Sequence, residues 1–153
     1  MANGTVVSIC VAGAAGEPMT SVKEAHAVPG KGLEGDRYFK GTGTFWKGKP
    51  DFELTLIEME AIEEFERRSG ISLNPADGRR NVVTRGVSLN ELVGREFEVG
   101  EVRLRGLRLC EPCSHLARLT GHKEIVRGMV HRGGLRAQIL TDAVIRVGDE
   151  VKA

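Results

Sequence analysis

Phe97-Glu98-Val99-Gly100-Glu101-Val102-Arg103-Leu104-Arg105 decides the fold class. Apolar and polar residues alternate at period two on both sides of Gly100, the pattern of strands with one buried face joined by a turn or bulge at the glycine. An amphipathic helix would instead repeat its apolar residues every three to four positions. Leu107-Arg108-Leu109 carries the second strand on to Cys110.

Toward the C-terminus, residues 135–140 and 143–147 read as two more strands, joined around Thr141-Asp142 and finished by Gly148-Asp149. Toward the N-terminus, residues 79–86 form a short strand with basic flanks. Residues 5–12 are a β-branched strand that stops at a glycine cluster and Pro18. Residues 22–28 are a strand closed by Pro29-Gly30-Lys31-Gly32, and residues 32–50, rich in glycine and poor in apolar side chains, form a long loop.

One helix is predicted, beginning near Thr55. Thr55 and Glu58 have capping-box spacing, Ile57, Ala61, Ile62 and Phe65 share a face, and Gly70 stops it. Its charged face, with Glu60, Glu63, Glu64, Arg67 and Arg68, is expected to be solvated. Residues 114–127 hold shorter helical patches. Strands dominate without a regular strand-helix alternation, so the expected architecture is mainly β: a closed or nearly closed β-barrel with one or two peripheral helices. Residues 1–153 are expected to form a single domain.

Composition narrows the function. Hydrophobic residues at 41% and charged residues at 28% support one ordinary core and exclude a disordered chain. Lysines and arginines number 22 against 21 aspartates and glutamates, so no global field draws the chain to nucleic acid or to an anionic membrane. No stretch approaches the ~20 apolar residues of a membrane helix, and the first ten residues lack the pattern of a secretory signal. A soluble, cytoplasmic protein is expected. Three cysteines are an odd number for a disulfide framework and read better as thiols, with Cys10 packed inside the sheet.

The chemistry concentrates in Cys110-Glu111-Pro112-Cys113, at the predicted end of a strand. A dithiol redox pair would belong beside a strand-helix-strand unit, and the surrounding pattern does not supply one. A structural zinc site would add His115, His122 or His131, without a second cysteine pair or finger spacing. Two buried thiols could also pack as small hydrophobes. The basic neighbours Arg105 and Arg108 favour a fourth reading, a single thiolate acting as nucleophile, sulfur carrier or soft-metal ligand, because nearby positive charge keeps sulfur ionised.

Three clusters combine arginine with glycine: Gly35-Asp36-Arg37, Gly78-Arg79-Arg80-Asn81 and His131-Arg132-Gly133-Gly134. Arginine forks bind phosphate or carboxylate, and glycine lets backbone approach an anion, so together they could form a local anion pocket. His131 could donate a proton or simply bond a backbone carbonyl. The residues around Gly32 lack the lysine and hydroxyl of a nucleotide phosphate loop, and neither a serine-hydrolase elbow nor a metalloprotease histidine pair is present.

In this order, Gly32-Leu33-Glu34-Gly35-Asp36-Arg37, Arg80-Asn81-Val82, the stretch from Gly94 to Gly100, Leu107-Arg108-Leu109-Cys110-Glu111-Pro112-Cys113, and His131-Arg132-Gly133-Gly134 leading to Ile145-Arg146-Val147-Gly148-Asp149 resemble the MOSC family, named for the C-terminal domain of molybdenum cofactor sulfurase. The chain looks like a small stand-alone bacterial member, matched over roughly residues 5–151. The resemblance implies a β-barrel-like fold that binds molybdenum cofactor (molybdopterin, a pterin dithiolene with a phosphate tail) or handles its sulfur. The family cysteine maps to Cys113, as sulfur carrier or molybdenum ligand, and Cys110 looks like a subgroup feature. By the same mapping Arg80 and Asn81 hold the pterin or its phosphate, and Asp36, Arg37, His131, Arg132 and Gly133 line the pocket, with His131 available for catalysis.

Some relatives reduce N-hydroxylated compounds; others carry sulfur. The implied partners are therefore a sulfur donor such as a cysteine desulfurase, or an electron-transfer protein. The alternatives are a cofactor or sulfur delivery module without turnover and a structural zinc domain. Relatives often place glutamine and a histidine-rich loop where this chain has Tyr38-Phe39-Lys40-Gly41 and Trp46. Pyridoxal phosphate belongs to the desulfurase domain of fused relatives, for which 153 residues leave no room, and is not expected here.

Overall fold

The computed structural model describes residues 3–12, 20–36, 53–70, 80–109 and 134–153. They form eleven strands and one α-helix: β1 (Gly4–Val11), β2 (Thr20–Val22), β3 (Glu24–Val28), β4 (Gly32–Leu33), β5 (Leu54–Glu58), α1 (Met59–Ser69), β6 (Val82–Arg85), β7 (Glu96–Val99), β8 (Val102–Leu109), β9 (Leu135–Ile139), β10 (Ala143–Arg146) and β11 (Glu150–Lys152). No helix among them is long and apolar enough to cross a membrane.

The order β11-β7-β8-β9-β5-β6-β1 closes on itself, because β1 also pairs with β11, giving the expected mainly-β barrel, here of seven strands. β2 pairs with β1 beside it, and β3, β4 and β10 make a separate three-stranded sheet. The alternation around Gly100 is the β7–β8 hairpin: Phe97, Val99, Val102 and Leu104 are buried in the barrel core. The closing strand β11 falls after the Gly148-Asp149 stop expected from sequence. Only three residues long, it enters through Gly4↔Val151 and Val151↔Val99.

The helix begins four residues later than the capping-box spacing suggests. Leu54–Glu58 is a strand, and α1 starts at Met59 with no side-chain cap. The physical reason is tertiary: Leu54 and Leu56 enter the barrel core, and Thr55 and Glu58 have partners outside the helix. The Glu58 carboxylate accepts the Leu89 N–H at 3.1 Å. Gly70 does end α1 in the left-handed region, at φ 73°, donating its N–H to the Glu66 carbonyl. The apolar face of α1 packs on β5 and β6, burying Ala61, Ile62 and Phe65.

Its charged face is only partly solvated. Glu63 takes both arms of Arg85 at 3.2 and 2.9 Å, and Glu60 accepts the Gly86 N–H at 2.8 Å, tying α1 to the end of β6. β5 and β6 are parallel, so the chain forms one strand-helix-strand unit, well away in sequence from the cysteine pair.

Across five strands the pairings Leu109↔Leu135, Leu135↔Leu56, Leu56↔Val82 and Val82↔Ile9 draw one lateral row. In sequence, residues 110–133 separate β8 from β9 and lie outside the described residues. Gly134 has φ 113°, and a Cβ there would stand 2.1 Å from the Leu56 carbonyl oxygen. Its lack of a side chain is therefore a packing requirement of β9 against β5. Gly134→Ala is expected to lower the unfolding free energy by about 2 kcal/mol or more, read by denaturant titration. A change within about 0.5 kcal/mol would show that the close approach relaxes freely.

Candidate functional site

Asn81 sits immediately before β6, fully buried, and its short side chain joins two other strands. The amide oxygen Oδ1 accepts both the backbone N–H and the hydroxyl of Thr55 in β5, each at 3.1 Å. Nδ2 donates to the Cys10 carbonyl of β1 at 3.1 Å. The backbone reinforces this: Cys10 N–H reaches the Asn81 carbonyl at 2.7 Å, and Asn81 N–H reaches Thr55 Oγ1 at 3.0 Å. A polar side chain is tolerable at zero exposure because its hydrogen-bonding groups are engaged.

Asp36 has a comparable job. It is fully buried at the turn after β4, and its Oδ1 accepts the Ala12 N–H just beyond β1 at 3.0 Å. Asp36 N–H in turn donates to the Leu33 carbonyl at 3.0 Å. Two motif residues thus hold the same strand end, Asn81 at Cys10 and Asp36 at Ala12. Arg80, beside Asn81, is buried to 8% exposure, unusual for a guanidinium in a small domain.

The pairing also orders the basic residues. Arg108 in β8 is the partner of Arg136 in β9, which is the partner of Thr55 in β5, next to Asn81. Arg136 was missed by the sequence reading, since its only local signal is one polar position in an alternating strand. Cys10 is buried as expected, with the hydroxyls of Ser8 and Ser21 at 3.6 and 3.9 Å from its sulfur.

Glu53, also missed, is a buried carboxyl whose Oε1 accepts N–H groups of Gly30 at 3.1 Å and Ile139 at 3.1 Å. It fastens the β3–β4 turn to the end of β9. Burial pushes its carboxyl up from the ordinary range, opposed by these two backbone donors.

Arg37, Cys110, Cys113, His115, His122, His131, Arg132 and Gly133 lie outside the described residues. Among the described residues no group of histidine, cysteine and carboxylate side chains is arranged to hold a metal ion. As a fit to a phosphate-bearing pterin, the donor set has the right chemistry at Arg80, whose guanidinium suits a phosphate. Asn81 and Asp36 fit as the frame of such a pocket, their side chains being bonded to backbone.

Two outcomes follow. Asn81→Ala would strand the Thr55 N–H and the Cys10 carbonyl in the interior, and should reduce stability by about 2–5 kcal/mol in equilibrium unfolding; a loss below about 1 kcal/mol would deny the brace. For Glu53, a raised folded pKa means that the folded state holds the proton more tightly. Its contribution to stability is full below the unfolded pKa and is lost as pH rises toward the folded one. Glu53→Gln keeps an acceptor for both N–H groups without the charge. It should be more stable than wild type at neutral pH, with the gap closing on acidification, whereas a gap that does not narrow would contradict the assignment.

Known proteins share this fold. A family model described as "MOSC domain" matches residues 44–152. Among solved structures, the YUAD protein from Bacillus subtilis superposes with a TM-score of 0.81 at 16% identity, covering 99% of this chain and 97% of that one. YiiM from Geobacillus stearothermophilus follows with a TM-score of 0.76 at 16% identity, over 97% and 74% of the two chains. YiiM from Escherichia coli gives 0.68 at 20% identity, over 99% and 69%. No match was found among curated proteins. The structural likenesses show a shared fold, and the family model spans well over half of the sequence: the chain belongs to the MOSC domain family.

Proposed function

We propose that the protein binds molybdenum cofactor through Cys113, either as a thiolate ligand of the metal or as the carrier of a sulfur destined for it. The observation that carries this reading is the braced basic row. Arg108 and Arg136 are cross-strand partners, Arg136 pairs with Thr55, and Thr55 is bonded to Asn81; in sequence, Arg108 and Arg136 flank residues 110–133, which include Cys113. Positive side chains near a thiol favour its ionised form, which is the form that binds a soft metal or attacks a sulfur donor. Family membership supports the same ligand class.

In this reading Arg80, with Arg37 and Arg132, pairs with the phosphate, and Gly133 lets backbone approach it. Asn81 and Asp36 keep the strand ends in place, and His131 holds a proton for the substrate. When bound, the cofactor supplies a thiophilic metal centre able to exchange electrons, oxygen or sulfur. Reduction of an N-hydroxylated compound breaks the N–O bond, takes up an electron pair and protons and releases water. The electrons come from a partner electron-transfer protein. Sulfur carriage instead requires a persulfide donor such as a cysteine desulfurase, whose terminal sulfur passes to Cys113 while the donor leaves as a thiolate. Either activity is cytoplasmic in this account and uses no pyridoxal phosphate.

Reconstitution with molybdenum cofactor, followed by metal analysis per chain, tests the ligand role. Cys113→Ala should lose most of the bound molybdenum, and Arg80→Gln should retain less than wild type. Wild-type retention by Cys113→Ala would contradict it, as would about one zinc per chain in the purified protein. Turnover of an N-hydroxylated base by the loaded protein with an electron donor would mark an enzyme, and its absence a delivery module.

A further inference from the structure

His26, in β3 of the small sheet, lies between two carboxylates. Its Nε2 meets Asp142, just before β10, and its Nδ1 lies 3.4 Å from Glu34, just after β4. A neutral imidazole has one N–H and one lone pair, so one of these contacts would set a lone pair against a carboxylate oxygen. Only the imidazolium suits both, with Nε2–H donating to Asp142 and a protonated Nδ1 facing Glu34 at ion-pair distance. The two carboxylates flank the ring rather than converge on one point, which suits a doubly protonated ring and not a metal ion.

What the contact holds is the turn that carries Asp36. Glu34 N–H donates to the His26 carbonyl at 2.9 Å, so side chain and backbone of Glu34 are both tied to His26. Two residues later, Asp36 accepts the Ala12 N–H. A short path therefore runs from the imidazole through Glu34 to the end of β1.

We propose that His26 is a protonation-controlled latch that clamps the Glu34–Asp36 turn against β10 through Asp142, and thereby sets how firmly Asp36 holds the end of β1. The charges acting on the ring are the two flanking carboxylates, and two residues before it on β3 Glu24 is paired with Arg146 of β10 at 3.2 Å. The Asp142 hydrogen bond, then the charges of Asp142 and Glu34, hold the imidazole's pKa above its ordinary value, outweighing partial burial. The latch is closed below that pKa and opens as pH rises through it. It stands on the geometry of the small sheet and does not depend on the cofactor reading.

Backbone amide exchange and imidazole titration by NMR, both on the full chain without cofactor, test it. The His26 midpoint should lie above about 6.5. After correction for intrinsic exchange, protection of the Ala12 amide should fall about three- to tenfold between about pH 5.5 and pH 8.5, while the Cys10 amide, held by Asn81, should change little. His26→Gln and Asp142→Asn should each flatten the Ala12 profile. A midpoint at or below 6.5, a wild-type Ala12 profile without pH dependence, or a variant keeping the wild-type dependence would overturn the proposal. If neither variant folds, the wild-type titration and Ala12 profile decide alone.

Discussion

A single buried carboxamide holds three strands of this barrel in register. Asn81 precedes β6 and bonds to β5 on one side and to β1 on the other, reaching Thr55 through Oδ1 and Cys10 through Nδ2. A peptide group could satisfy one neighbour at a time in a ladder, whereas a side-chain amide adds a second set of donors and acceptors at the same position. In a dry interior each of these bonds is expensive to leave unmade, so the arrangement specifies the junction sharply. Asp36 at Ala12 and Glu53 at Gly30 and Ile139 repeat the device where the small sheet meets the barrel.

This divides the motif residues by physical role. Asn81 and Asp36 are bonded to backbone and fix the shape of the strand ends. Arg80 is a buried cation next to Asn81 in the chain, and Arg136 and Arg108 are cross-strand partners on β9 and β8. In the proposed function the guanidinium groups and a thiolate take the recognition role, suited to a ligand with a hard anionic end and a soft metal end.

The strands were legible because local pattern and tertiary fate agree: the alternation on either side of Gly100 is the β7–β8 hairpin, residues 135–139 are β9 of the barrel, and residues 143–146 are β10 of the small sheet. The start of α1 was misread because Thr55 and Glu58 have helix-cap spacing but find their partners at Asn81 and Leu89, contacts that local spacing does not report. The motif around Asn81 was visible, yet not its bracing role, since its partners stand 26 and 71 residues away in sequence. Glu53 and His26 carried no local signal at all. Their meaning comes from backbone donors and carboxylates brought in by folding. β11 escaped because three residues after a turn carry too little pattern to register as a strand.

In the proposed function a braced barrel of the MOSC family presents a cysteine thiolate to a soft metal. X-ray absorption at the molybdenum edge of the reconstituted protein measures this most directly, because it counts sulfur neighbours of the metal. Wild type should show one more metal–sulfur contact than Cys113→Ala loaded with the same cofactor, with Arg80→Gln keeping the wild-type count at lower occupancy. Identical sulfur coordination in wild type and Cys113→Ala would contradict it.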